Sequence, residues 1–170
     1  MAQSRVAVLG LGIMGAGMAN NLLRAGFPVN VYNRDAAKSA PFASSGARVA
    51  TSPRDAASDA DVVISMVSDD RASRAVWMGD EGALAGVKKG ALLIESSTLT
   101  VSWVEELSKA AQAAGAELID APVTGSRDHA AAGQLLFLVG GSAAALERAK
   151  PVLSVMSRGI VPSVSAPVTR

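Results

Sequence analysis

Val6-Ala7-Val8-Leu9-Gly10-Leu11-Gly12-Ile13-Met14-Gly15 is the stretch from which the rest of the chain can be read. Its first four residues are apolar, which is the pattern of a strand buried on both faces. The glycines that follow have the spacing G-x-G-x-x-G. From Ile13 onward, Met14, Met18, Leu22 and Leu23 recur at helical spacing until Gly26 stops the helix. A glycine triplet between a strand and a helix is the context this pattern requires. Gly10 permits the tight turn, Gly12 lets a pyrophosphate approach the backbone, and Gly15 lets helix and strand pack closely. The helix N-terminus adds free N–H groups and the positive end of a dipole. Gly10, Leu11, Gly12, Ile13, Met14 and Gly15 are therefore read as the phosphate turn of a dinucleotide site.

Outward from this turn, short apolar runs alternate with helical ones. Strands are expected over residues 5–9, 29–32, 48–50, 61–67, 91–95, 117–120 and 134–139, with a last short one at 160–161. Helices are expected over 13–25, 36–45, 52–58, 70–78, 100–114 and 143–155, the last interrupted by Pro151. This alternation predicts an α/β fold: a doubly wound, Rossmann-type, mainly parallel sheet with helices on both faces. Residues 1–161 are read as one dinucleotide-binding domain and 162–170 as an irregular tail.

Composition bounds the chemistry. The chain has 170 residues, 49% hydrophobic and 18% charged, with a net charge of +1. That balance supports a core and argues against a nucleic-acid partner, which calls for clustered basic charge. There is no cysteine and one histidine, His129, so disulfides, thiolate catalysis and multi-histidine metal sites are excluded. The run from Val6 to Ala19 has no polar side chain, yet it is too short to cross a bilayer and four glycines interrupt it. No membrane partner and a cytoplasmic location are expected.

The end of the second strand chooses the nucleotide. An acid there would hold the ribose 2′-hydroxyl of NAD, but the chain has Asn33-Arg34, with Asp35 one or two positions too late. Arg34 can pair with a 2′-phosphate, Asn33 can hydrogen-bond it without repulsion, and Lys38 lies one helical turn further on. NADP is expected in preference to NAD.

A second set of residues lies far downstream: Asp120-Ala121-Pro122-Val123-Thr124-Gly125-Ser126, then Gly133-Gln134-Leu135 and Gly140-Gly141. With the glycine turn, with Met66-Val67-Ser68-Asp69 and with Glu95-Ser96-Ser97-Thr98, in that order, the chain resembles the β-hydroxyacid dehydrogenases, among them 3-hydroxyisobutyrate dehydrogenase and the glyoxylate/succinic semialdehyde reductases. Thr124 stands where that family usually has serine. The resemblance covers roughly residues 4 to 161. It implies hydride transfer between NADP(H) and a small carboxylate substrate bearing a hydroxyl or an aldehyde. It also implies that Met66, Val67 and Ser68 lie along the cofactor and that Thr98 borders the nicotinamide ribose. Thr124, Gly125 and Ser126 would receive the substrate carboxylate, and the N–H groups of a turn leading into a helix suit an anion.

The same resemblance implies a following helical domain that carries a proton-transferring lysine and commonly mediates homo-oligomer formation. Nothing after residue 161 resembles it. Lys150, Lys88 and Lys89 do not match the lysine's setting, so no catalytic residue is assigned, and these residues alone are expected to bind NADPH with turnover near background. His129 reads as a surface residue, and Trp77 and Trp103 as packing residues without chemistry. A short-chain dehydrogenase is excluded because its Tyr-x-x-x-Lys pair is missing: Tyr32 is the sole tyrosine. The alternative class is a nucleotide-binding or scaffold module without turnover.

Overall fold

The computed structural model describes residues 3–162. Six parallel strands form its main sheet: β1 (Val6–Leu9), β2 (Val29–Tyr32), β3 (Arg48–Val49), β4 (Val62–Ser65), β5 (Leu92–Glu95) and β6 (Glu117–Asp120). Their order in space is β3-β2-β1-β4-β5-β6. The order reverses at β1, which pairs with β2 on one side and β4 on the other. Such a switch point opens a crevice beyond the carboxyl ends of the strands.

The connecting helices are α1 (Ile13–Arg24), α2 (Ala36–Ser39), α3 (Pro53–Ala57), α4 (Asp70–Trp77), α5 (Val101–Ala113), α6 (Arg127–Ala131) and α7 (Ala143–Ser154). Strand alternation divides the core between the two faces of the sheet. Val6 and Val8 share one apolar layer with Met18 and Leu22 of α1 and with Val152 and Leu153 of α7. Ala7 and Leu9 share the other with Ala56 of α3, Trp77 of α4 and Trp103 and Leu107 of α5. Because helices cover both faces, every residue of β1, β4 and β5 is buried. The predicted doubly wound architecture is present.

Four details differ from the sequence reading. Residues 36–45 are not one helix: α2 gives way at Ser39 to a 3₁₀ turn over Ala40–Ser45, with Pro41, which lacks an N–H, near its start. Pro151 does not interrupt α7. It lies on the exposed face, as does Glu147 four residues earlier, whose carbonyl the missing N–H leaves without its helical partner. The third difference is a second sheet, β7 (Val123–Thr124), β8 (Leu135–Val139) and β9 (Ser157–Pro162), in which β7 runs antiparallel to β8 and β8 parallel to β9. The ten residues between β7 and β8 are too few for the crossover that parallel neighbours need, so the chain turns back. Main-chain hydrogen bonds between Asp120 and Gly140, 3.0 and 2.7 Å, tie this sheet to β6. Fourth, β9 is longer than expected and ends at Pro162, which the sequence reading put in the tail; residues 163–170 lie outside the described residues.

Helix α6 is docked on α1 by a glycine. A Cβ at Gly17 would stand 2.8 Å from the Ala130 carbonyl oxygen. The Asn21 amide donates to that same oxygen at 2.8 Å. This seat holds the Thr124–Ser126 turn, which leads into α6, against the helix that begins at the glycine turn. Among the described residues no helix is long and apolar enough to cross a membrane, and no cluster of His, Asp and Glu suits a metal ion.

Candidate cofactor-binding site

A cleft of about 1130 Å³ opens at the switch point. The glycine turn (Gly10, Gly12, Ile13, Met14, Gly15) forms one wall, the end of β2 with Asn33, Arg34 and Lys38 another, and Met66, Val67 and Ser68 after β4 a third. Helix α4 closes it with Arg71, Ala72, Ala75 and Val76.

The three glycines of the turn have different reasons to be glycine. Gly10 has φ +98°, and a Cβ there would lie 2.2 Å from the Met66 carbonyl oxygen. A Cβ at Gly15 would lie 1.9 Å from the Gly10 oxygen. Both are therefore required by the fold. Gly12 has φ −67° and ψ −169°, open to any residue, and a Cβ there would meet nothing within 4 Å. Neither packing nor backbone demands glycine at this position. It is the N-cap of α1 and has no side chain to cap it; the first turn of α1 has no acidic residue. The N–H groups of Ile13, Met14 and Gly15 have no acceptor among the described residues. The turn is thus a cradle of donors with space above it, which fits a dinucleotide pyrophosphate.

At the end of β2 the cations are free. Arg34 and Lys38 are exposed and form no ion pair among the described residues, and the same holds for Arg71 across the cleft. The Asp35 carboxylate caps α2 by accepting the Ala37 N–H at 3.0 Å. Asn33 has a role the sequence did not reveal. Its Oδ1 accepts the Leu11 N–H at 2.8 Å and its Nδ2 donates to the Asp35 carbonyl at 3.1 Å, so it pins the glycine turn to the end of β2. One amide hydrogen remains for a ligand. Leu11 contributes only this backbone contact, since its side chain is buried in the core and does not line the cleft.

The Met66–Ser68 turn rests on a buried network that sequence reasoning missed. Glu95, the last residue of β5, is fully buried. Its Oε2 accepts from the Ser73 hydroxyl at 2.7 Å and the Trp77 indole at 2.8 Å, and its Oε1 from the Ser97 N–H at 2.9 Å. Trp103 donates to Ser73 at 2.9 Å. The Ser97 hydroxyl in turn accepts the Val67 N–H at 2.8 Å. Both tryptophans thus supply hydrogen bonds as well as bulk. The signal was a lone glutamate closing an all-apolar strand, because a buried carboxylate needs donors and indoles are donors. Thr98, three residues beyond β5, is exposed and outside the cleft lining.

Thr124, Gly125 and Ser126 are exposed together ahead of α6, also outside the cleft lining. Ser126 is engaged locally: its hydroxyl accepts the His129 N–H at 3.3 Å, and its own N–H donates to His129 Nδ1 at 3.0 Å. His129 is exposed, as expected, and completes a reciprocal cap. Asp120, half-buried at the end of β6 and in register with Glu95, has its carboxyl pushed up to about 6, first by burial and second by the Glu95 charge.

Residues 5–165 match the family model described as the NAD binding domain of 6-phosphogluconate dehydrogenase. A relative from Pseudomonas aeruginosa, NAD-dependent L-serine dehydrogenase, is 42% identical over 92% of this chain and 52% of its own length. The structure of 3-hydroxyisobutyrate dehydrogenase from Mycobacterium tuberculosis with L-serine superposes with a TM-score of 0.89 at 36% identity, covering 95% of this chain and 54% of the other. Psf3 in complex with NADP+ and 2-OPP superposes with a TM-score of 0.88 at 29% identity, covering 95% of this chain and 57% of the other. The chain spans about half the length of the curated relatives it matches. With a matching family model across the whole sheet, the chain belongs to the NAD-binding domain family of 6-phosphogluconate dehydrogenase, and 3-hydroxyisobutyrate dehydrogenases are among the proteins it is similar to in sequence and in fold.

Proposed function

We propose that the cleft binds NADP(H), and that residues 1–161 form the cofactor-holding domain of an oxidoreductase acting on a small carboxylate that bears a hydroxyl or an aldehyde. The observation that carries this reading is Gly12, a glycine with no reason in the fold, placed where a phosphate would meet an uncapped helix. When bound, the nicotinamide nucleotide donates or accepts a hydride. The protein's share is position and charge. Ile13, Met14 and Gly15 offer N–H groups to the pyrophosphate. Arg34, Lys38 and the spare Asn33 amide hydrogen face a 2′-phosphate. Thr98 then borders the ribose at the nicotinamide end.

In the same reading Thr124, Gly125 and Ser126 take the substrate carboxylate. The Thr124 hydroxyl and the Gly125 N–H bind first, because the Ser126 N–H is held by His129. The neighbour solved with L-serine is consistent with such a substrate, since serine joins a carboxylate to a β-hydroxyl.

Calorimetric titration with NADPH and NADH tests the proposal. A charge-assisted contact contributes about 1.5–3 kcal/mol, so NADPH is expected to bind about one to two decades more tightly. Equal or tighter NADH binding refutes the choice of nucleotide, and binding of neither refutes the reading.

A further inference from the structure

We propose that Glu95 is a positioning residue for the dinucleotide and acts through Ser97 on the Met66–Ser68 turn. The proposal rests on the reading that the cleft holds a dinucleotide. Glu95 never reaches the cleft and pairs with no cation among the described residues. Its carboxylate is instead referenced to two helices: α4 through Ser73 and Trp77, and α5 through Trp103, which reaches it by way of Ser73. The remaining oxygen holds the Ser97 N–H, and the Ser97 hydroxyl holds the Val67 N–H. The chain of contacts therefore ends on the backbone of a turn that lines the cleft.

That turn cannot move alone. The Met66 carbonyl and the Val67 side chain press on Gly10, where a Cβ would stand 2.2 and 2.9 Å from them. The height of the turn thus sets the depth of the crevice between β1 and β4. A well-packed apolar residue could fill the place of Glu95 but could not aim Ser97. The strand order gives the effect a direction. The β2 end, with Arg34, and the β4 end, with Val67, lie on opposite sides of β1. A dinucleotide spans both, whereas adenosine 2′,5′-bisphosphate occupies only the Arg34 side.

Ser97→Ala removes the last link and leaves the Ser97 N–H on Glu95. The Val67 N–H then loses its acceptor, and NADPH affinity is expected to fall about tenfold. Affinity for adenosine 2′,5′-bisphosphate should stay within about twofold, and tryptophan emission should not change, since both indoles keep their partners. In Glu95→Gln the amide nitrogen faces either the Ser97 or the Trp77 N–H. With the nitrogen toward Ser97, NADPH should weaken comparably and adding Ser97→Ala should cost little more, as coupled sites are not additive; with the nitrogen toward Trp77, emission should shift and NADPH affinity should hold. Equal loss of both ligands, or undiminished NADPH binding in Ser97→Ala, overturns the proposal. Failure of the unsubstituted protein to bind either ligand overturns the cofactor reading itself, and the positioning role with it.

Discussion

Gly12→Ala separates what the fold needs from what the ligand needs. Two small effects on stability oppose each other. Alanine restricts the unfolded chain and stabilises by about 0.4–1 kcal/mol where the backbone allows it, as φ −67° does. At an N-cap, alanine is worse than glycine by a comparable amount. Because the new methyl meets no protein atom within 4 Å, no steric cost is added. The ligand-free protein should keep its stability to within about 1 kcal/mol, or roughly 2–4 °C in Tm for a chain of this size. The nucleotide, in contrast, meets a methyl where its phosphate should lie. Overpacking costs about 1–3 kcal/mol, which weakens binding by roughly one to two decades. At a nucleotide concentration near one hundred times Kd, bound ligand stabilises by about 2.7 kcal/mol; a hundredfold weaker site leaves roughly 0.4 kcal/mol. Thermal unfolding with and without NADPH reads both quantities. A ligand-induced shift as large as that of the unsubstituted protein would show that the space over Gly12 is not the phosphate site. A ligand-free protein as damaged as Gly15→Ala, whose Cβ would collide with the Gly10 oxygen at 1.9 Å, would show instead that the fold itself requires Gly12.

Arg34→Asp should reverse nucleotide preference toward NADH by replacing a phosphate partner with a ribose acceptor, and competitive titration of the two nucleotides measures it. The Asp120 carboxyl is raised to about 6, above its unfolded value near 3.9, so the folded state favours the protonated form. Its contribution therefore falls as pH rises from about 4 through about 6 and is flat above. Asp120→Asn should abolish that step and stabilise the protein at pH 7–8 by about 1–2 kcal/mol after solvent screening, as denaturant unfolding across pH will show. Gly17→Ala places a methyl against the Ala130 backbone, so α6 must lift from α1; a loss of about 1–3 kcal/mol is expected, with faster amide exchange in α6.

The glycine turn and the six parallel strands were legible because their signals are local: contiguous apolar runs, glycines at fixed offsets, and caps such as Ser52 before Pro53. What escaped the sequence reading depends on distant partners. Asn33 looked like a ligand for phosphate, yet its acceptor is taken by Leu11, 22 residues away. Glu95 depends on Ser73 and Trp77, which follow no periodicity that points to it. The antiparallel β7 has two residues, too few to show alternation. The contact of His129 with Ser126 was within reach, because a polar residue three positions after a serine N-cap is the spacing of a reciprocal cap.

The interlock of Gly10, Gly15 and Met66 has a consequence for the rate at which a ligand is captured. Three backbones meet there without an intervening side chain, so the cradle takes its final shape as the central strands assemble. An incoming nucleotide then has little loop ordering to wait for at its phosphates. Association should lie in the ordinary diffusive range of about 10⁵–10⁷ M⁻¹s⁻¹, and variants that weaken binding should act mainly by shortening residence. With exposed Arg34, Lys38 and Arg71 around the opening, that rate should also fall with added salt, the mark of a site whose cations steer an anionic ligand in from a distance.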